Sequence, residues 1–300
     1  MFSASVQRIT LPNGQNVCAS SKAQGELRLI YHEVFEDQIY TRSPIVLADG
    51  DTIFDVGANI GMFSLFVSQK YSRARIFAFE PLPPNFTFLQ KNCGSIEGIK
   101  LFPHGLTRIA GEARATFIFY PRLPGSSTMY PKEEPGRLPF SDLFGVRRWR
   151  AEKMYWKEFK RFFGNKLYFA FIALYPFRWR LVTWFFFSGK AFACELKTLS
   201  ETIRSENVER IDLLKIDVEG SEIDVLLGID DQDWSKIRQI VLEVDDRGNY
   251  LARIAEIQNL LCAKGMDVEL QNNILYAVRG EDVSHPAGQD GTESEGERKR

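Results

Sequence analysis

The hydrophobic and polar positions of this chain follow two periods, and the clearest change from one to the other falls at residues 52–67. Thr52, Ile53, Phe54 and Val56 surround one acid, Asp55, in a run with the make-up of a strand buried on both faces. Gly57 and Gly61 then bracket Ala58, Asn59 and Ile60, and Met62, Phe63, Leu65, Phe66 and Val67 follow at helical spacing. The pattern predicts a strand, a tight glycine turn and a helix. The start of such a helix carries unpaired N–H groups and a partial positive charge, and glycine would let a ligand lie against bare backbone. At the carboxyl end of a parallel strand, that turn is where open α/β sheets hold nucleotides.

The same reading extends along the chain. Val6–Ala19 predicts a hairpin about Asn13-Gly14, and Glu26–Tyr40 a helix with Leu27, Ile30, Tyr31, Val34 and Phe35 on one face. These form an N-terminal extension, residues 1–48, covering one end of the sheet. Tyr40 is within reach of the pocket, with packing as the favoured role. Arg75–Glu80 predicts a second strand, followed by Pro81, and Pro83-Pro84-Asn85 opens a helix through Asn92. Ile99–Phe102 is a third strand, with His104 and Gly105 at its carboxyl end beside the pocket. Ala113–Tyr120 has strand composition, and Pro121–Pro139 reads as a loop.

From Leu196 the strand and helix units resume. Glu201–Asn207 predicts a helix, and Ile211–Val218 a buried strand with Leu213, Lys215 and Asp217 on one face. A lysine there needs a partner, and Asp217 is the near one. Glu219-Gly220-Ser221-Glu222 opens a helix through Leu227. Ile237–Asp245 is a strand presenting Val241, Glu243 and Asp245 together, Ala252–Lys264 a helix, and Met266–Leu270 with Ile274–Val278 an antiparallel pair. From Glu281 the polar, Gly-rich tail reads as disordered. The succession is that of an α/β chain with a Rossmann-like, doubly wound domain at 49–280, interrupted by an insertion at 121–195.

Charge changes the picture in that insertion alone. The net charge of the chain is −1, which gives no field to steer nucleic acid. Arg147–Lys190 nevertheless holds eleven Lys/Arg against two acids, a local +9 that leaves −10 elsewhere, together with sixteen aromatics. Pro176, Arg178 and Arg180 interrupt the apolar run Leu167–Phe187, so it falls short of the roughly 20 apolar residues a membrane span needs. It reads as an amphipathic element: a lid or docking surface on the substrate side, a face packed on the sheet, or a membrane-surface contact. Such composition also suits single-stranded nucleic acid, but no recognition motif accompanies it. Four scattered cysteines without a C-x-x-C, and three scattered histidines, give no zinc site and fit a reduced, cytoplasmic protein.

The nucleotide is narrowed by what the turn lacks. A dinucleotide fingerprint, G-x-G-x-x-G, would need glycine where Asn59 and Met62 stand, which disfavours a dehydrogenase. The pattern present is D-x-G-x-N-x-G, and Glu80 ends the next strand 25 positions after Asp55. An acid there can accept both ribose hydroxyl protons. FDVGANIGMFSL, FAFEP, IDLLKIDVEGSEIDVL and the VLEVD run together resemble the FkbM-type family of S-adenosylmethionine-dependent methyltransferases, over roughly Asp49–Arg279. The basic aromatic insertion ahead of Thr198-Leu199-Ser200 resembles the branch associated with polyketide and mixed peptide–polyketide assembly.

The resemblance implies a seven-stranded sheet with a reversed last strand, and S-adenosylmethionine held by Asp55, Gly57, Asn59, Gly61 and Glu80; Ala58, Pro81, Asn85, Gly105 and Asp217 are further candidate cofactor contacts. It implies methyl transfer to a hydroxyl oxygen of a small or carrier-tethered molecule. The family pattern places histidine where this chain has Asp245, so another base is required. Asp217 and Glu243, ending adjacent strands, and His104, ending another, are the candidate proton acceptors. The alternative for the two acids is structural, Asp217 pairing with Lys215 and Glu243 bonding backbone, with positioning doing most of the catalysis. Carboxylates at Asp217, Glu243 and Asp245 would also suit magnesium, although the reading adopted is metal-free. Competing readings are methylation of a glycan or lipid-linked sugar, and a non-catalytic module that binds a nucleotide-like ligand.

Overall fold

The computed structural model describes residues 6–111, 113–129, 188–245 and 249–280. In chain order the strands are β1 (Val6–Thr10), β2 (Asn16–Ser20), β3 (Thr52–Val56), β4 (Arg75–Phe79), β5 (Ile99–Phe102), β6 (Gly105–Leu106), β7 (Ala113–Phe119), β8 (Lys190–Lys197), β9 (Leu213–Ile216), β10 (Gln239–Glu243), β11 (Met266–Gln271) and β12 (Ile274–Arg279). The α-helices are α1 (Gln24–Tyr31), α2 (Met62–Lys70), α3 (Pro83–Cys93), α4 (Leu199–Ser205), α5 (Glu222–Leu227) and α6 (Tyr250–Ala263).

Seven strands form the central sheet in the order β5-β4-β3-β9-β10-β12-β11. Neighbours from β5 to β10 run parallel, and β12 runs antiparallel to both β10 and β11. The predicted seven-stranded sheet with a reversed last strand is therefore present. Because β3 leads to β4 on one side and abuts β9 on the other, the strand order reverses beside β3, and a crevice opens at its carboxyl end. Alternation along β3, β9 and β10 separates two cores. Phe54, Leu214, Ile216 and Leu242 pack on one face, while Ile53, Leu213 and Val241 pack on the other with Tyr40 and Phe63.

The first 48 residues depart from the expected continuous helix. After α1 a π-helical turn, His32–Glu36, closes the helix, so Tyr40 lies beyond it on a segment that crosses the sheet face. Tyr276 donates its hydroxyl to the Ile39 carbonyl at 2.6 Å, and Gln239 bonds both the N–H and the carbonyl of Val46 at 2.8 and 2.7 Å. Asn92 of α3 pins the hairpin, accepting from Cys18 N–H and donating to the carbonyls of Cys18 and Ile60. The hairpin thus docks on the helices beside the glycine turn.

A smaller three-stranded sheet, β6-β8-β7, flanks the crevice. β7 and β8 pair antiparallel from Ala113↔Leu196 to Phe119↔Lys190, which reaches into residues 190–195 assigned above to the insertion. Residues 130–187, where the basic aromatic element lies, and the tail from 281 are outside the described residues. Helix α4 starts two residues earlier than expected, because Thr198 and Glu201 form a reciprocal capping box. Among the described residues no helix is long and apolar enough to cross a membrane.

Candidate active site

The glycine turn is built as predicted, but its glycines are required by the protein's own chain. Gly57 has φ +79°, and a Cβ there would stand 1.8 Å from the Asp217 carbonyl oxygen. At Gly61, φ +93°, a Cβ would meet Cys93 Sγ at 2.5 Å. The bare backbone thus allows close approach of the chain after β9 and of α3. The N–H groups of Gly57 and Ala58 both donate to the Phe79 carbonyl, and Asn59 N–H donates to Glu80 Oε2 at 3.0 Å. Asn59 adopts φ 51°, a left-handed conformation that asparagine tolerates better than most residues.

Asp55 is completely buried and turns inward. Ser64 Oγ donates to its Oδ2 at 2.7 Å, and Lys215 Nζ lies 3.0 Å from its Oδ1. The partner of Lys215 is thus chiefly Asp55 on the neighbouring strand, with Asp217 at 3.7 Å, because parallel registry sets Asp55 opposite Lys215. Lys215 also donates to the Gly57 carbonyl at 3.0 Å, tying the strand pair to the turn. Burial pulls its ammonium towards deprotonation, but the charges of Asp55 and Asp217 outweigh that and raise its pKa.

Asp217 and Glu243 lie at the carboxyl ends of adjacent strands, and the structure brings them together through Tyr40. The Tyr40 hydroxyl is 2.8 Å from Asp217 Oδ2 and 3.1 Å from Glu243 Oε2. Its ring packs edge-on against Phe63, with Lys215 Nζ 5.2 Å from the ring centroid. Glu243 Oε1 accepts from the Asn273 side chain at 3.0 Å. Asp217 keeps a side-chain exposure of 30%, so an acceptor molecule can reach it.

Glu80 lies beyond the end of β4, only 5% exposed. Its two oxygens take the N–H groups of Asn59 and Leu82, leaving further lone pairs for hydroxyl donors. Burial raises its pKa to about 7, against the opposing pull of those N–H groups, Lys215 and Asn85. Pro81 follows it, and Gly105 opens β6 beside it, where a Cβ would come 3.5 Å from the Pro81 ring and 2.8 Å from Leu196. Asn85, in the first turn of α3, donates to the Pro124 carbonyl, while its side-chain oxygen has no partner.

His104 is not gathered with these groups. Its ring lies edge-on to Phe79 and Phe102, side chains of the opposite face of the sheet. Burial, helped by the charge of Lys197, lowers its pKa to about 4. Among the described residues no three His, Cys, Asp or Glu side chains are grouped to hold a metal ion.

Residues 120–129, read from sequence only as loop, form a strap over the crevice. Gly125 N–H donates to Glu26 Oε1 at 3.0 Å, and Thr128 Oγ1 donates to the Glu219 carbonyl at 2.7 Å on the far side. Glu26, a residue to which the sequence analysis gave no role, is only 8% exposed.

Comparison with known proteins places the chain in one group. A family model described as the methyltransferase FkbM domain matches residues 178–268. The 31-O-demethyl-FK506 methyltransferase FkbM of Streptomyces tacrolimicus is 32% identical over 275 residues, 91% of this chain and 93% of that protein. Methyltransferase 1 of Beauveria bassiana is 30% identical, covering 89% of this chain and 92% of that protein. The chain belongs to the FkbM methyltransferase family. A further relative, the AMB antimetabolite synthetase AmbE of Pseudomonas aeruginosa, is 34% identical over 90% of this chain, which spans only 12% of that much longer protein.

Family membership makes S-adenosylmethionine the methyl donor to test against these residues, and they fit it. Glu80 has open acceptor capacity at the strand end where a ribose would lie. Buried side-chain oxygens of Asn59 and Asn85, both without partners, flank it. An FkbM-type crevice with these groups can hold a ligand rich in hydroxyl and ammonium donors.

Proposed function

We propose that this FkbM-family chain transfers the methyl group of S-adenosylmethionine to a hydroxyl oxygen of a natural-product or carrier-bound intermediate. The observation that carries this reading is the Tyr40 hydroxyl held between Asp217 and Glu243 at the mouth of the crevice. The donor supplies an electrophilic methyl on a sulfonium. The chain supplies placement and a proton acceptor. Glu80 receives the ribose hydroxyls, Pro81 and Gly105 shape the neighbouring wall, and Asn59 and Asn85 add acceptors. Asp55 acts at one remove, through Lys215 and Ser64, by holding β9 against the turn.

One phenolic proton serves two carboxylates, so Tyr40 fixes both while leaving acceptor lone pairs open. Asp217, with its 30% side-chain exposure, takes the proton of the acceptor hydroxyl as the oxygen–methyl bond forms and the sulfur–methyl bond breaks. Such a base is worth about 10²–10⁴-fold, and placement of the two reactants contributes more. The names of the relatives support the substrate class: one acts at an O-demethyl site of FK506 and another belongs to an antimetabolite synthetase. Free thiols at all four cysteines support a cytoplasmic setting.

The test is incubation with methyl-labelled S-adenosylmethionine and a panel of hydroxylated acceptors. Asp217→Asn should lower turnover by about 10²-fold or more, and lower it more than donor affinity. Turnover that survives this change would make Asp217 structural and remove the proposed base.

A further inference from the structure

Between α1, the glycine turn, α3 and the strap lies a small cavity of about 20 Å³, lined by Glu26, Asn59, Asn85 and Pro124 among others. Its polar lining residues are Ser20, Glu26, Asn59 and Asn85. Glu26 accepts the Gly125 N–H at one carboxylate oxygen, Oε1, at 3.0 Å. The side-chain oxygens of Asn59 and Asn85 are buried and unpartnered. No lysine, arginine or histidine lines the space. A buried carboxyl with no cation, beside two orphaned amide oxygens, is costly in free energy unless something donates to all three.

We propose that Glu26, with Asn59 and Asn85, receives the α-ammonium of the donor's amino-acid end. This rests on the donor being S-adenosylmethionine, as proposed above. An ammonium brings three N–H donors and no acceptor, and so can donate to an oxygen on each of the three residues. A hydroxyl brings one proton and water two. The cavity neighbours the proposed sugar site through Asn59, which lines it and gives its backbone N–H to Glu80. The strap N–H of Gly125 on Glu26 links ammonium capture to the segment that covers the crevice.

Electrostatics agree with this placement. Burial raises Glu26 to about 8, Gly125 N–H opposes that, and the charges of Glu33 on the turn after α1 and Asp217 after β9 raise it further. A cation placed beside the carboxyl would favour its charged, acceptor-only form and so bring that value back down.

The experiment is calorimetric titration of the full chain with two ligands: S-adenosylhomocysteine, and 5′-methylthioadenosine, which lacks the amino-acid end. Glu26→Gln, nearly isosteric, should weaken S-adenosylhomocysteine by about ten- to a hundredfold, the worth of a hydrogen bond to a charged group. Binding of 5′-methylthioadenosine should stay within about twofold of wild type, which also confirms that the crevice is intact. Unchanged affinity for S-adenosylhomocysteine, or an equal loss for both ligands, would overturn the assignment. Wild type that binds neither ligand would remove the donor reading itself, an outcome distinct from a failure confined to Glu26.

Discussion

Tyr40 meets carboxylates that lie 177 and 203 positions away in the chain, and that distance explains why its role was hard to read. By residue type it is an aromatic near a helix end, for which packing is the ordinary role, and it does pack on Phe63. Only the turn after α1 and the crossing segment deliver its hydroxyl to the strand ends. Asp217, Glu243 and Glu80 were legible, because strand alternation alone sets which side chains share a face. The pairing of Lys215 with Asp55 was not, since it depends on the register between two strands far apart in sequence. Tyr40→Phe keeps the ring packing and removes only the hydroxyl. It should lower kcat by about tenfold or more, on the scale of a hydrogen bond to a charged group, with donor affinity unchanged in titration. Equal kcat for the variant would reduce Tyr40 to a packing residue.

Among the elements, the glycine turn follows from the local sequence, and the structure adds a reason for its glycines that the sequence did not carry. Strand, turn and helix follow from local pattern, whereas the neighbour that fills the space beside Gly57 is the Asp217 carbonyl on β9. Gly57→Ala therefore meets two obstacles. A left-handed backbone costs a non-glycine residue about 1–3 kcal/mol, and the contact with the Asp217 carbonyl forces β3 and β9 apart. Denaturant unfolding should show a loss beyond that range, and a loss under about 1 kcal/mol would contradict the tight approach. The strap is the element that sequence left blank, because Pro, Gly and Ser mark a turn without naming its anchors. Those anchors, Glu26, Asn85 and Glu219, come from three separate parts of the chain.

At the scale of the whole molecule, the burial that forms the crevice also sets its response to pH. Burial raises Glu26 to about 8 and Glu80 and Glu222 to about 7, from an ordinary value of 4.5. The fold keeps these protons where the unfolded chain has lost them, so their contribution to stability is full below pH 4.5 and disappears as pH rises to 8. His104 works oppositely: lowered by burial to about 4 from 6.5, its contribution is full above pH 6.5 and is lost as pH falls. Above pH 6.5 the carboxyls alone of these four groups titrate. The melting temperature of the ligand-free protein should therefore fall from pH 6.5 to 8, and fall less in Glu26→Gln. A profile that is flat or rises would contradict the buried carboxyls. The overall architecture was legible because seven strands carry local signals, while the placement of the N-terminal extension across the sheet rests on contacts such as Tyr276 to Ile39 that no local pattern encodes. The central claim is that the crevice at the end of β3 and β4 grips the sugar of a sulfonium donor through Glu80. Calorimetric titration of wild type and Glu80→Ala with S-adenosylhomocysteine addresses it most directly: the account predicts saturable binding to wild type and a loss of about tenfold or more in the variant, whereas no binding by wild type, or equal affinity in both, would contradict it.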